Sequence, residues 1–220
     1  PVLPAAAIHV DAAGSGNVIG YSPSCSATPI IGNMIVSATS AGIMVNGAAS
    51  DGTVIASNMI ISPTGAGIHV MGGASHTTIG SPAYGNHISY GSADGIRIDG
   101  GGNNTVQANH VGFNALHGIA IVDSSNNTIG STGVATDTGN AVAFNGKSGV
   151  TVGGNTSAGN RISRNSLNGN TALSIDLNGG TEDAFYVTEN DAGDADSGPN
   201  TLLNFPSSLT AALTSTVGPT

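Results

Sequence analysis

The chain has 220 residues, 34 of them glycine, with 13 acidic side chains against four Lys plus Arg and a formal charge of −9. That balance leaves no basic stripe to neutralise phosphates, which excludes a nucleic-acid partner, and no polybasic or long apolar run suited to membrane insertion. Cys25 stands alone, so neither an internal disulfide nor a thiolate zinc site is available.

From the amino end, Pro1 in place of a Met reads as a mature or excised segment. Ala7-Ile8-His9-Val10 then opens a series of apolar-x-apolar phrases. It continues as Gly42-Ile43-Met44-Val45, Gly67-Ile68-His69-Val70, Gly95-Ile96-Arg97-Ile98, Gly118-Ile119-Ala120-Ile121 and Gly149-Val150-Thr151-Val152, and closes at Ala172-Leu173-Ser174-Ile175. The five glycines lie 25, 28, 23 and 31 residues apart. A period in the twenties marks a solenoid in which each repeat is one coil.

The shortest repeat, Gly95 to Leu116, gives the plan of a coil. Ile96 and Ile98 alternate with Arg97 and Asp99, the period of two of a half-buried strand. A Gly100–Asn104 turn cluster precedes a second short strand, Thr105-Val106, and Asn109-His110-Val111-Gly112 forms a third. Three strands per coil predict an all-β, single-stranded parallel β-helix of about seven coils, spanning residues 5–206 with an acidic cap loop. Residues 207–220 lose the period and read as a Ser/Thr/Ala-rich tail or linker.

Columns follow from the offsets. The inward columns of the first strand run Ile8, Ile43, Ile68, Ile96, Ile119, Val150, Leu173 and Val10, Val45, Val70, Ile98, Ile121, Val152, Ile175. The third strand contributes Ile35, Ile60, Ile88, Val111, Val142 and Ile162. Asn33, Asn58, Asn86, Asn109, Asn140 and Asn160 form a corner column, with Asn114, Asn145 and Asn165 five residues on. Stacked asparagines hydrogen-bond their neighbours above and below, so these columns read as structural ladders.

The outward columns of the first strand show no pair of carboxylates sharing a site, since Asp99 is flanked by Met71 and Val122. His69, Arg97 and Asp99 form one suggestive cluster, for which an exposed ion pair is the simpler reading. Coil length varies at a single corner, between second and third strands, through insertions at 21–31, 81–85 and 131–139. Loops from one corner would wall a groove floored by the outward residues of the third strand, Met59, His87, His110, Ala141 and Arg161. Tyr84, His87, His110, Asp137 and Arg161 are therefore the candidate binding residues, suited to a sugar or an anionic glycan. Glu189, Asp191, Asp194 and Asp196 place oxygen ligands at short spacing on a Gly-containing loop, a candidate calcium site ordering the cap.

Asn126-Asn127-Thr128-Ile129-Gly130, Gly139-Asn140-Ala141-Val142, Asn145 and Gly149-Val150 together resemble the coils of right-handed parallel β-helix repeat proteins. These belong to the pectate-lyase-like superfamily, and more narrowly the coils are similar to those of its large secreted bacterial members. The resemblance implies an extracellular or cell-surface bacterial location and is specific for fold rather than activity. The sequence lacks the Asn-Thr-Asp, Asp-Asp, Gly-His-Gly and Asp-Pro-His signatures associated with enzymes of that superfamily. The leading expectation is a non-enzymatic module, a structural stalk or adhesin that contacts glycan, with extracellular polysaccharide or further copies of itself as partners. A polysaccharide lyase or hydrolase is the alternative, and a self-assembling filament subunit the third reading.

Overall fold

The computed structural model describes residues 6–21, 32–131, 139–184, 187–189 and 197–202. Among them, short strands numbered in chain order wind into three parallel sheets. The first sheet stacks β1 (Ile8–Asp11), β4 (Ile43–Asn46), β7 (Ile68–Met71), β10 (Ile96–Asp99), β13 (Ile119–Val122), β16 (Val150–Gly153) and β19 (Ile175–Asn178). The second holds β2 (Val18–Gly20), β5 (Val54–Ala56), β8 (Thr78–Ile79), β11 (Thr105–Val106), β14 (Thr128–Gly130) and β17 (Arg161–Ser163). The third holds β3 (Met34–Val36), β6 (Met59–Ile61), β9 (His87–Ser89), β12 (His110–Gly112), β15 (Ala141–Ala143) and β18 (Ser166–Asn168). Each strand pairs in parallel with its counterpart one coil away, which makes the chain a parallel β-helix with a rise near 4.8 Å per coil.

The core is the stack of aliphatics pointing inward from all three sheets. Ile43, Ile55, Ile60, Ile68, Ile79, Ile88, Ile96, Ile98, Ile119, Ile121 and Ile129 have no exposed surface. Burying each such side chain is worth about 1.5–3 kcal/mol, and only neighbouring coils supply the cover. The opening glycine of each phrase is needed for close approach rather than for a turn. A Cβ on Gly118 would lie 2.2 Å from Val142 Cγ1 and 2.7 Å from the carbonyl oxygen of Gly149.

Three asparagine ladders tie the corners. Asn33, Asn58, Asn86, Asn109, Asn140 and Asn165 form the first, each donating backbone N–H and side-chain Nδ2 to the Oδ1 of the next. Asn114, Asn145 and Asn170 form the second. A third, running Asn104, Asn127, Asn160 and Asn200, crosses the corner before the second sheet.

The register of the last coils departs from the sequence reading. Ile162 pairs with Ile129 in the second sheet, and Leu167 takes the place beside Val142. Gly159-Asn160-Arg161-Ile162 has the same form as Gly139-Asn140-Ala141-Val142, but its coil carries no insertion, so the phrase falls one strand earlier. At the final strand Val150 pairs with Ile175 and Val152 with Leu177, which moves Leu173 out of the core column. The alternation Leu173, Ile175, Leu177 satisfies two frames equally. Asn170, bound to Asn145, selects the second by sitting five residues before Ile175, as Asn145 does before Val150.

Candidate functional site

The insertions do enter at one corner on alternate coils. β2 and β3, β8 and β9, and β14 and β15 are separated by longer connections, whereas β5–β6, β11–β12 and β17–β18 are joined tightly. The tight corners each use one left-handed residue, Ser57, Ala108 or Arg164 (φ 61°, 57° and 58°). The inserted coils place Gly20, Gly80 and Gly130 at the strand end instead (φ 95°, 81° and 105°). A Cβ there would lie 1.8–1.9 Å from the carbonyl oxygen of the neighbouring tight coil.

Beside this corner runs a groove of about 480 Å³, lined by residues from four successive coils. Pro82, Ala83 and Gly85 come from one, Ala108 and His110 from the next, Gly139, Asn140 and Ala141 from the third, and Arg164 and Ser166 from the last. His87 and His110 sit on adjacent coils with ring centroids 6.4 Å apart, as their shared column requires. Tyr84 turns the other way. Its ring meets Tyr21 at 4.2 Å across the intervening coil, and its backbone N–H closes a turn to Ser81 O. Arg161 pairs with Thr128 in the second sheet, so it leaves the expected floor, and Ser166 stands beside Ala141 there instead. Arg164, at the left-handed corner of the same coil, is the cation that lines the groove. Asp137 lies outside the described residues.

At the opposite edge of the third sheet, three aromatic rings stack on consecutive coils. Tyr90 and Phe113, then Phe113 and Phe144, have centroids 5.2 Å apart with interplanar angles of 13° and 18°. All three are more than half exposed. The signal was present in the sequence, because each follows its inward aliphatic by two residues: Ile88 to Tyr90, Val111 to Phe113, Val142 to Phe144.

The outer face of the first sheet assembles more charge than its columns implied. Arg97 Nε donates to Asp99 Oδ2 at 2.7 Å and Nη1 to Asp94 Oδ2 at 3.2 Å, so one guanidinium bridges two carboxylates. His69 Nε2 lies 2.7 Å from Asp99 Oδ2. Asp94, two residues before the strand, was missed because it precedes the repeating phrase. Burial pushes the Asp99 carboxyl up, but hydrogen bonds from His69 and Arg97 outweigh it and hold the group below the ordinary carboxylate value. The hydrogen bond to Asp99 raises Arg97 above its ordinary value, against the opposing effect of burial.

The network extends along the axis. His117 donates its backbone N–H to Asp94 Oδ1 and accepts one from Ser148 at Nδ1. Ser148 Oγ and Thr151 Oγ1 both donate to Asp176 Oδ2, at 3.1 and 3.4 Å. Burial lowers the His117 pKa, opposed first by Asp94. Burial and then Asp176 raise the Glu182 carboxyl.

No group of three or more His, Cys, Asp or Glu suited to a metal occurs among the described residues. Glu189 is exposed, and Asp191, Asp194 and Asp196 lie outside the described residues. Among those described, no helix is long and apolar enough to cross a membrane.

These coils, ladders and corner loops define a right-handed parallel β-helix. The family described as a right handed beta helix region matches residues 17–192, most of the chain, and the chain belongs to it. Two solved structures are similar to it. One is a double mutant of the periplasmic alginate epimerase AlgG, 18% identical over 65% of this chain and 38% of that one, with a TM-score of 0.49. The other is the A-module of the Azotobacter vinelandii mannuronan C-5 epimerase AlgE6, 14% identical over 65% and 44%, with a TM-score of 0.44. The chain thus spans less than half the length of either structure. Comparison with curated proteins returned no match.

Proposed function

We propose that this chain is a non-enzymatic β-helix module of a bacterial extracellular or cell-surface protein, a stalk or adhesin unit that contacts glycan along its third sheet. The observation that carries this reading is the groove at that sheet's edge, lined from four successive coils and bearing His110, Ser166 and Arg164. Such a surface spreads polar partners over several coils along one line, which suits an extended polymer rather than a compact metabolite. Immobilised chain challenged with a panel of extracellular polysaccharides tests it. Retention of at least one polymer, weakened by His110→Ala or Ser166→Ala, is the expected result. Absence of retention across the panel would sink the reading. Calcium is part of the same proposal, as a ligand of Glu189, Asp191, Asp194 and Asp196 that orders the C-terminal segment. A chelator that leaves Tm unchanged removes it.

The first-sheet network favours a second reading, a polysaccharide lyase or hydrolase, because Arg97, two carboxylates and the His69 imidazole converge there. Against it, Arg97 is already engaged by Asp94 and Asp99, and Asp94 is buried. Cleavage of an acidic polysaccharide that disappears in Arg97→Ala would establish the enzyme.

A further inference from the structure

The outer face of the third sheet carries no Asp, Glu, Lys or Arg at any strand position. From the first coil to the last its outward pairs are Met34 and Val36, Met59 and Ile61, His87 and Ser89, His110 and Gly112, Ala141 and Ala143, and Ser166 and Asn168. The only titratable groups among them are two imidazoles. In a chain of net charge −9 this is an uncharged stripe running the length of the helix. Apolar exposure concentrates on the same stripe. Of the eight large hydrophobic residues exposed among the described residues, six lie on it or on its aromatic edge: Met34, Val36, Met59, Tyr90, Phe113 and Phe144. Concentrated exposure of this kind marks an interaction surface, whereas single scattered residues do not.

The shape selects the occupant. One edge is the corner from which Pro82 and Ala83 project, and the other is the ladder of Tyr90, Phe113 and Phe144. A trough with two raised edges takes a narrow extended chain better than a second flat sheet. The charge selects its chemistry. A polyanion needs cations repeated along its path, yet of the chain's four Lys plus Arg, Arg97 is held between carboxylates on the first sheet, Arg161 stands on the second, and Arg164 is a single cation among the groove's lining residues rather than a repeat. The surrounding negative charge also repels polyanions within a Debye length of about 8–10 Å. An uncharged polysaccharide needs only apolar surface for its C–H faces and scattered hydroxyl, amide and imidazole partners, which this face has.

We propose that the third sheet binds a neutral polysaccharide chain lying parallel to the helix axis, between the Pro82–Ala83 corner and the Tyr90–Phe113–Phe144 ladder. This rests on the glycan-contacting reading above and adds the substrate class and direction.

Electrophoresis of the whole chain through gels containing soluble hydroxyethylcellulose or xyloglucan, beside gels containing polygalacturonate or alginate, tests it. The expected result is retardation by a neutral polymer that survives a tenfold rise in salt, with none by the polyanions. Phe113→Ala and, independently, Met59→Ala should each weaken retention about threefold to tenfold, whereas Thr105→Ala on the second sheet should leave it unchanged. Circular dichroism of each variant confirms that the coils persist. Retardation by polyanions alone, abolished by salt, would overturn this inference and leave the glycan reading standing. Retardation by neither polymer class removes both. Concentration-dependent dimers weakened by Phe113→Ala would instead assign the stripe to self-association and overturn the proposal.

Discussion

Asn109 shows why single side chains at the corners matter so much. It is fully buried, and its Oδ1 accepts two hydrogen bonds from Asn86, at 3.0 Å from the backbone and 2.8 Å from the side chain. Its Nδ2 turns to Ile79 O, Gln107 O and Asn140 Oδ1. Asn109→Ala leaves the backbone N–H of Asn86 unmet in a dry corner and takes one of the two acceptors of its Nδ2, Ile55 O remaining. At about 1–3 kcal/mol for each bond lost, a loss of roughly 2–6 kcal/mol is expected in urea denaturation. Asn168→Ala, on an exposed position, should stay within about 0.5 kcal/mol. A second residue-scale prediction concerns His117, whose folded pKa lies below its ordinary 6.5. The unfolded chain then takes up the proton first, so this contribution to stability is full above pH 6.5 and is lost as pH falls toward the folded value. Tm should drop as pH is lowered through that window, and His117→Gln should flatten the drop. Parallel curves for parent and variant would contradict the assignment.

The strands and their inward columns were legible because a repeat reports the same geometry many times. Ile96 and Ile98 say little alone, but six aligned phrases fix the first sheet from β1 to β16, and only the seventh slips by two residues. The last coil was misread because Gly159-Asn160-Arg161-Ile162 resembles a phrase from a different strand. The signal that separates them is the distance from the first strand. Second-sheet Ile55, Val106 and Ile129 follow Val45, Ile98 and Ile121 by 10, 8 and 8 residues, whereas third-sheet Ile60, Val111 and Val142 follow them by 15, 13 and 21. Ile162 follows Val152 by 10, which assigns it to the second sheet, moves Arg161 off the floor and leaves Arg164 at the groove. The adjacency of His87 and His110 was legible for the same reason as the core. The direction of Tyr84 was not, because a loop side chain answers to contacts outside the repeat, here Tyr21. The glycines of the inserted coils give an element-scale prediction. Gly80→Ala sets a Cβ 1.9 Å from Gln107 O at φ +81°, whereas Gly100→Ala meets nothing within 4 Å at φ +72°. The second should cost about 1–2 kcal/mol of left-handed strain alone. The first adds a backbone clash and should cost at least about 1–3 kcal/mol more. Equal urea midpoints for the two would refute the close-approach account.

The two ends of the molecule are unlike, and this bears on whether copies stack into filaments. At the amino end β1, β2 and β3 are the outermost strands of the three sheets. At the other end the chain leaves β19, makes an antiparallel bridge between Glu182 and Thr188, and returns as a turn at Pro199–Leu202. That turn imitates a further coil. Asn200 Oδ1 accepts from Asn160 N, Asn200 Nδ2 donates to Asn160 O, and Asn200 N donates to Ser157 O, so the third ladder gains one more rung. Leu202 is buried behind it, and Pro199 stands close over Gly179. Holding Asn200 and Thr201 in left-handed geometry costs about 1–2 kcal/mol per residue, a strain that the closed ladder offsets. A cap of this kind denies the second-sheet edge to another molecule, as open strand edges would otherwise recruit one. The parent chain should therefore sediment as one species across concentrations. Asn200→Ala reopens Asn160 N and O at the edge and should produce association that grows with concentration. A variant that stays monomeric while losing stability would mean that Asn200 closes the ladder without guarding the end.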